Sequence, residues 1–167
     1  MLNFILGNVC GILAMLSDSY SATKTSKKDI LLTQSISQFI YGTSSIFLKG
    51  YSASVQNFMS IVRNFIALKE NPSDFIQWIL IIVSVVLGVI FNNRGIAGWL
   101  PILANLEYSI AVVYVKNNET LLKISFLITV ILYTLFNIYI LNIVGTITNS
   151  IVIISYATSI YKDLKKG

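Results

Sequence analysis

The 167-residue chain has no histidine, one cysteine and two prolines, and only 11% of its residues are charged. Without histidine it lacks the side chain most often used for acid-base chemistry near neutral pH and for metal ligation, which counts against an enzyme and against a metal cofactor. The lone Cys10 rules out an intramolecular disulfide, a CxxC redox pair and a cysteine-rich metal site, and it reads as a small apolar residue in a helix. No GxxxxGK[ST] loop occurs, so ATP-driven transport through that motif is not expected, and neither is any cofactor.

Apolar residues are abundant. Hydrophobic residues make up 55% of the chain and the mean hydropathy is +0.76, outside the range of soluble domains. Long apolar stretches with short polar breaks predict membrane spans near residues 3–20, 29–48, 51–69, 75–91, 96–115, 120–140 and 143–161. At about 20 residues per span, seven spans leave no room for a soluble catalytic domain. The stretch from Phe75 to Phe91 has no charge and should face lipid. The second and third spans carry Gln34, Gln38, Gln56 and Asn57 among Ile, Phe and Leu, so they should face protein or a cavity. No basic side chain precedes the first apolar stretch, which is therefore expected to be a retained helix and not a signal peptide. Gly7 and Gly11 suit close helix packing, and Trp78 and Trp99 fall near span ends, where aromatic rings favour the interface.

The net charge of +5 comes from basic residues that flank apolar runs and form no basic face, so it points to membrane topology and not to nucleic acid. With the N-terminus outside and the C-terminus inside, Lys24, Lys27, Lys28, Lys69, Lys116, Lys123, Lys162, Lys165 and Lys166 fall on the cytoplasmic side. Only Lys49 and Arg94 then fall outside.

Tyr41 and Asn57 recur 92 residues later as Tyr133 and Asn149, with the same spacing of 16. Ser54-Val55-Gln56-Asn57 matches Thr146-Ile147-Thr148-Asn149 in character, and Lys24 aligns with Lys116. These matches predict an all-α membrane protein of about seven transmembrane helices, arranged as two parallel three-helix repeats joined by a linker helix. Residues 1–70 form the first repeat, 71–95 the linker helix, and 96–167 the second repeat with a basic cytoplasmic tail. A three-helix unit ends on the side opposite its start, so a second parallel copy needs one extra crossing.

Counting from the cytoplasmic lysines at 1.5 Å per residue puts Asn57 roughly 18 Å from Lys69 and Asn149 roughly 20 Å from Lys162, close to the midplane. An amide there must bond either a neighbouring helix or a ligand, and both readings stand. Glu107, roughly 13 Å from Lys116, is a candidate proton-coupling carboxylate or a hydrogen-bonded residue in a wet vestibule. Arg63 either extends its guanidinium to the headgroups or pairs with Asp18, since the first and third helices of one repeat are expected neighbours. Such a pair would be structural or a cytoplasmic gate.

The chain resembles the YgjV-like family of bacterial inner-membrane proteins in length, in span arrangement and in fragments such as Ile61-Val62-Arg63 and Leu100-Pro101, over most of residues 4–163. It is more distantly similar to SWEET and PQ-loop transporters, whose three-plus-one-plus-three helices carry an aromatic residue and then a pocket asparagine in each repeat. Tyr41 and Asn57, then Tyr133 and Asn149, look like those positions. The proline-glutamine pair of that motif is absent, because the only prolines are Pro72 and Pro101, and tyrosine stands where sugar carriers commonly have tryptophan. The resemblance implies a small-molecule transporter of the bacterial cytoplasmic membrane with a midplane site formed by Asn57, Asn149, Tyr41 and Tyr133; depth along the spans adds Glu107, Asp18 and Arg63 as candidate coupling or gate residues. A structural or accessory membrane protein is the alternative. The expected partners are the lipid bilayer, an unidentified small-molecule substrate and, as an option, a second copy in a homo-oligomer; nucleic acid is not expected.

Overall fold

The computed structural model describes residues 1–69, 72–115 and 118–165, so Lys116 and Lys166 of the charge argument, and the alignment of Lys24 with Lys116, lie outside the described residues. Among the described residues there are seven α-helices and no strand. They are α1 Leu2–Ser21, α2 Lys27–Phe47, α3 Tyr51–Ala67, α4 Asp74–Ile90, α5 Trp99–Tyr114, α6 Glu119–Tyr139 and α7 Ile143–Leu164, with a short 3-10 turn, Gly95–Gly98, leading into α5. Four segments are long and apolar enough to cross a membrane: α1, α5 with its preceding turn, α6 and α7. α4 is apolar but shorter.

The helices are polar inside and apolar outside. α4 buries Gln77, Ser84 and Gly88 with Ile81, and it exposes Phe75, Ile76, Ile82, Val86 and Ile90. In water that orientation would be the wrong way round; in hydrocarbon it is favourable, because polar groups must then find partners inside the protein. α2 and α3 follow the same rule. Their buried faces hold Gln34, Ser37 and Gln38, and Gln56, Asn57 and Arg63, while Ile36, Phe39, Val62 and Phe65 point outward.

α2 and α6, with the turns that follow them, share four features at an offset of 92 residues, whereas α3 and α7 differ in length, 17 against 22 residues. The Ser26 hydroxyl accepts from the Asp29 amide at 3.1 Å to cap α2, and Asn118 Oδ1 accepts from the Leu121 amide at 3.0 Å to cap α6. Both helices are 21 residues long. Each ends in a left-handed residue, Lys49 at φ 57° and Leu141 at φ 58°. The Gly50 amide then donates to the Ser45 carbonyl at 2.8 Å, and the Asn142 amide donates to the Asn137 carbonyl at 2.8 Å. This is the hydrogen bonding that lets a helix stop in a left-handed turn.

α1, α2, α3, α5, α6 and α7 pack in that order into a closed ring, α7 returning to α1, while α4 lies outside against α3 and α5. In ring order α2 stands opposite α6 and α3 opposite α7. The expectation that the first and third helices are neighbours is therefore corrected: α2 packs between them. Gly7 brings α1 close to α2. A Cβ there would lie 2.8 Å from Leu48 Cγ, and the Ser44 hydroxyl donates to the Gly7 carbonyl at 2.6 Å.

Candidate functional site: a polar cavity inside the ring

A cavity of about 70 Å³ lies inside the ring, lined by α1, α2, α3, α6 and α7. It runs from Leu48 and Asn142, at the two matched turns, to Asp18, Gln38 and Phe126 deeper in the bundle. That volume accommodates several waters or a solute of a few heavy atoms. All four residues singled out by the 92-residue offset, Tyr41, Asn57, Tyr133 and Asn149, line it.

The hydrogen bonding of these residues carries more information than their position. Asn57 is 3% exposed and Asn149 6%, yet among the described residues neither amide bonds any protein group. Gln38, also 6% exposed, has no protein partner either, and the Tyr41 hydroxyl is buried without one. The polar atoms of Asn57, Asn149 and Gln38 are not sealed in apolar surroundings but open on the cavity, where water or a solute can supply the bonds whose lack would cost a sealed amide about 1–3 kcal/mol.

At its deeper end the cavity is closed by side chains that join α1 and α2 to α5 and α7. The Tyr108 hydroxyl donates to Gln34 Oε1 at 2.6 Å, and Gln34 Nε2 donates to the Tyr156 hydroxyl at 3.1 Å. The Phe126 ring packs between the two tyrosines, edge-on to Tyr108 with centroids 5.2 Å apart and tilted against Tyr156 at 4.8 Å. Ile30, Leu31, Val112, Leu122 and Val152 complete this apolar plug. Further out, Lys27 Nζ donates to the carbonyls of Val112 at 3.2 Å and Val115 at 3.1 Å. The Ser159 hydroxyl donates to the Ala22 carbonyl at 2.5 Å, and the buried Lys123 pairs with Asp163 at 2.7 Å. The sequence marked Gln34 and Gln38 only as polar residues in an apolar helix. That oddity was the available signal of their place here.

Of the three residues expected to couple or gate, Asp18 alone lines the cavity. It is 2% exposed, and the Ser37 hydroxyl donates to its Oδ1. The proposed Asp18–Arg63 pair does not form, because α2 separates the two helices. Arg63 does not extend to the surface either; it is 5% exposed and turned inward. Its Nε and Nη2 donate to Asn64 Oδ1 at 3.1 and 2.9 Å, its Nη1 donates to Asn105 Oδ1 at 2.7 Å and Ser109 Oγ at 3.1 Å, and it lies 4.6 Å above the Tyr108 ring. Asn105 also donates to Gln56 Oε1 and Ser84 Oγ, both at 2.7 Å, which ties α3, α4 and α5 together. Glu107 is half-buried on α5 outside the cavity, accepting from the hydroxyls of Ser125 at 2.7 Å and Thr129 at 3.4 Å.

Polar faces turned inward, apolar faces turned out and helices of spanning length define an integral membrane protein of the all-helical kind. Residues 5–166 match the model of the Imp-YgjV family, described as bacterial inner membrane protein, and the chain belongs to that family. No curated protein and no solved structure matches the chain.

Proposed function

We propose that this protein is a small-molecule transporter, not an enzyme, and that it exposes the cavity alternately to the two sides of the bacterial cytoplasmic membrane. All seven helices cross, with the N-terminus outside, and the two halves, residues 1–70 and 96–167, are parallel repeats joined by α4. The matched N-caps and equal lengths of α2 and α6, and the left-handed turns at Lys49 and Leu141, support the repeat. In such repeats equivalent residues stand at equal depth around an axis along the membrane normal, and the substrate site lies between them. The observation that carries the reading is the pair of unpartnered amides, Asn57 and Asn149, on opposite helices of the ring. A solute between them would gain their hydrogen bonds and apolar contact with the tyrosine rings. The Gln34–Tyr108–Tyr156 plug is the part that must separate for release on the other side.

The test is solvent access. In a background where Cys10 is replaced by serine, a cysteine at position 57 or 149 should react with membrane-impermeant thiol reagents, and a bound solute should slow the reaction. Cysteines unreactive from both sides of the membrane would remove the site and leave the structural or accessory role.

A further inference from the structure

The cavity lining contains one acid, Asp18, and no lysine or arginine. Asp18 is nearly inaccessible, and Ser37 satisfies one of its oxygens; among the described residues Oδ2 has no hydrogen-bond partner, and no cation lies within ion-pair distance. An unpaired carboxylate costs several kcal/mol to bury and is relieved by a proton or by a cation that enters beside it. Four aromatic residues, Tyr41, Phe126, Tyr133 and Phe136, line the same space, and aromatic faces attract cations. The free amides of Gln38, Asn57 and Asn149 offer carbonyl oxygens, which match a cation that carries N–H donors.

We propose that the cavity takes a small organic cation, a protonated primary amine, with Asp18 as its counter-charge, the aromatic rings around its carbon portion and the amide oxygens accepting its remaining N–H groups. This assignment rests on the cavity being the transport site and adds its charge selectivity. An anion would meet the carboxylate with no base to offset it, and a quaternary ammonium would leave the amide oxygens unpaired.

The deciding experiment keeps Asp18 in place. In the Cys10→Ser background, the full chain carrying Asn149→Cys is reconstituted and treated with a positively charged and a negatively charged methanethiosulfonate of similar size, each rate being divided by the rate with a free thiol in solution. The cation should be favoured by about tenfold or more, as fields focused in a narrow cavity allow, and methylammonium should slow labelling more than sodium or acetamide at equal concentration and ionic strength. In Asp18→Asn the preference should disappear while labelling persists. Equal corrected rates for the two reagents, or equal protection by acetamide, would overturn the assignment while leaving a water-accessible site. Failure of both reagents to react would overturn the site itself. Where Asp18→Asn does not fold, the reagent ratio and the methylammonium protection in the Asp18 protein decide alone.

Discussion

Replacing Asn105 with alanine should cost this protein far more than a typical interhelical hydrogen bond in a membrane. Asn105 Oδ1 accepts from Ser60 and from Arg63 Nη1, and its Nδ2 donates to Gln56 and Ser84, all four at 2.7 Å. Interhelical bonds in membranes average about 0.6 kcal/mol, so the four together are worth roughly 2.4 kcal/mol. The bond from Arg63 is charge-assisted, and its loss leaves Nη1 with only the longer bond to Ser109 in a guanidinium that has no carboxylate within ion-pair distance among the described residues, adding about 1–2 kcal/mol. The expected loss is therefore about 3–4 kcal/mol, read as a lowered midpoint in reversible unfolding from lipid bicelles. Asn105→Asp separates the contributions. It keeps the acceptor and sets a negative charge against Arg63, but it replaces the donor with an oxygen facing Gln56 Oε1, to which only Ser84 could turn its hydroxyl, so it should recover part of the alanine loss. Because Asn105 does not line the cavity, labelling at position 149 should be unchanged in Asn105→Asp. A loss below about 1 kcal/mol in Asn105→Ala, within the range of a single bond, or an aspartate variant less stable than the alanine one, would refute the reasoning.

Asp18→Asn and Arg63→Met should have stability effects that add to within about 0.5 kcal/mol in a double-mutant cycle, since their partners are separate; a larger coupling would mean that the two charges meet. Lys49→Gly and Leu141→Gly should each raise stability by about 0.5–1 kcal/mol, because glycine removes the left-handed backbone penalty at φ 57° and 58°, and thermal unfolding of the two variants should shift alike. A C-terminal fusion to alkaline phosphatase should be inactive and one to a fluorescent protein bright; the reverse would put the C-terminus outside and invert the lysine argument.

The seven helices were legible in the sequence because lipid imposes one requirement on every outward face, and runs such as Trp78 to Val83 record it directly. Helix ends were legible only to within a few residues: the expected spans start at 29 and 120, whereas Ser26 and Asn118 cap helices that begin at Lys27 and Glu119. The cavity residues Tyr41, Asn57, Tyr133 and Asn149 could be found because a repeated spacing survives without knowing any contact. The order of helices around the ring could not be read. Periodicity says which face of a helix is buried but not which helix covers it, so Asp18 and Arg63, both buried and of opposite charge, invited a pairing that α2 prevents. For Glu107 the sequence left a coupling carboxylate and a hydrogen-bonded residue both open, since depth along an axis does not say whether a side chain points into a cavity or toward Ser125 on a neighbouring helix.

Polar residues inside this bundle fall into two groups, and hydrogen bonding separates them better than burial does. Gln56, Ser60, Arg63, Asn64, Ser84 and Asn105 are as deeply buried as Asn57 and Asn149, but each is bonded by its neighbours, which ties α3, α4 and α5 together. On the facing side of α3 and across the ring, Gln38, Asn57, Asn149 and one oxygen of Asp18 meet a cavity in place of a partner. These open groups are what the transport reading rests on, because a polar atom facing a cavity can be bonded by whatever enters it, and one already bonded to a neighbouring helix cannot without losing that bond. Asn57 shows the contrast within one turn of helix: its neighbour Gln56 is fully bonded to Ser84 and Asn105, and Asn57, one residue on, turns to the cavity. α3 is thus the boundary between a hydrogen-bonded wall and a polar cavity.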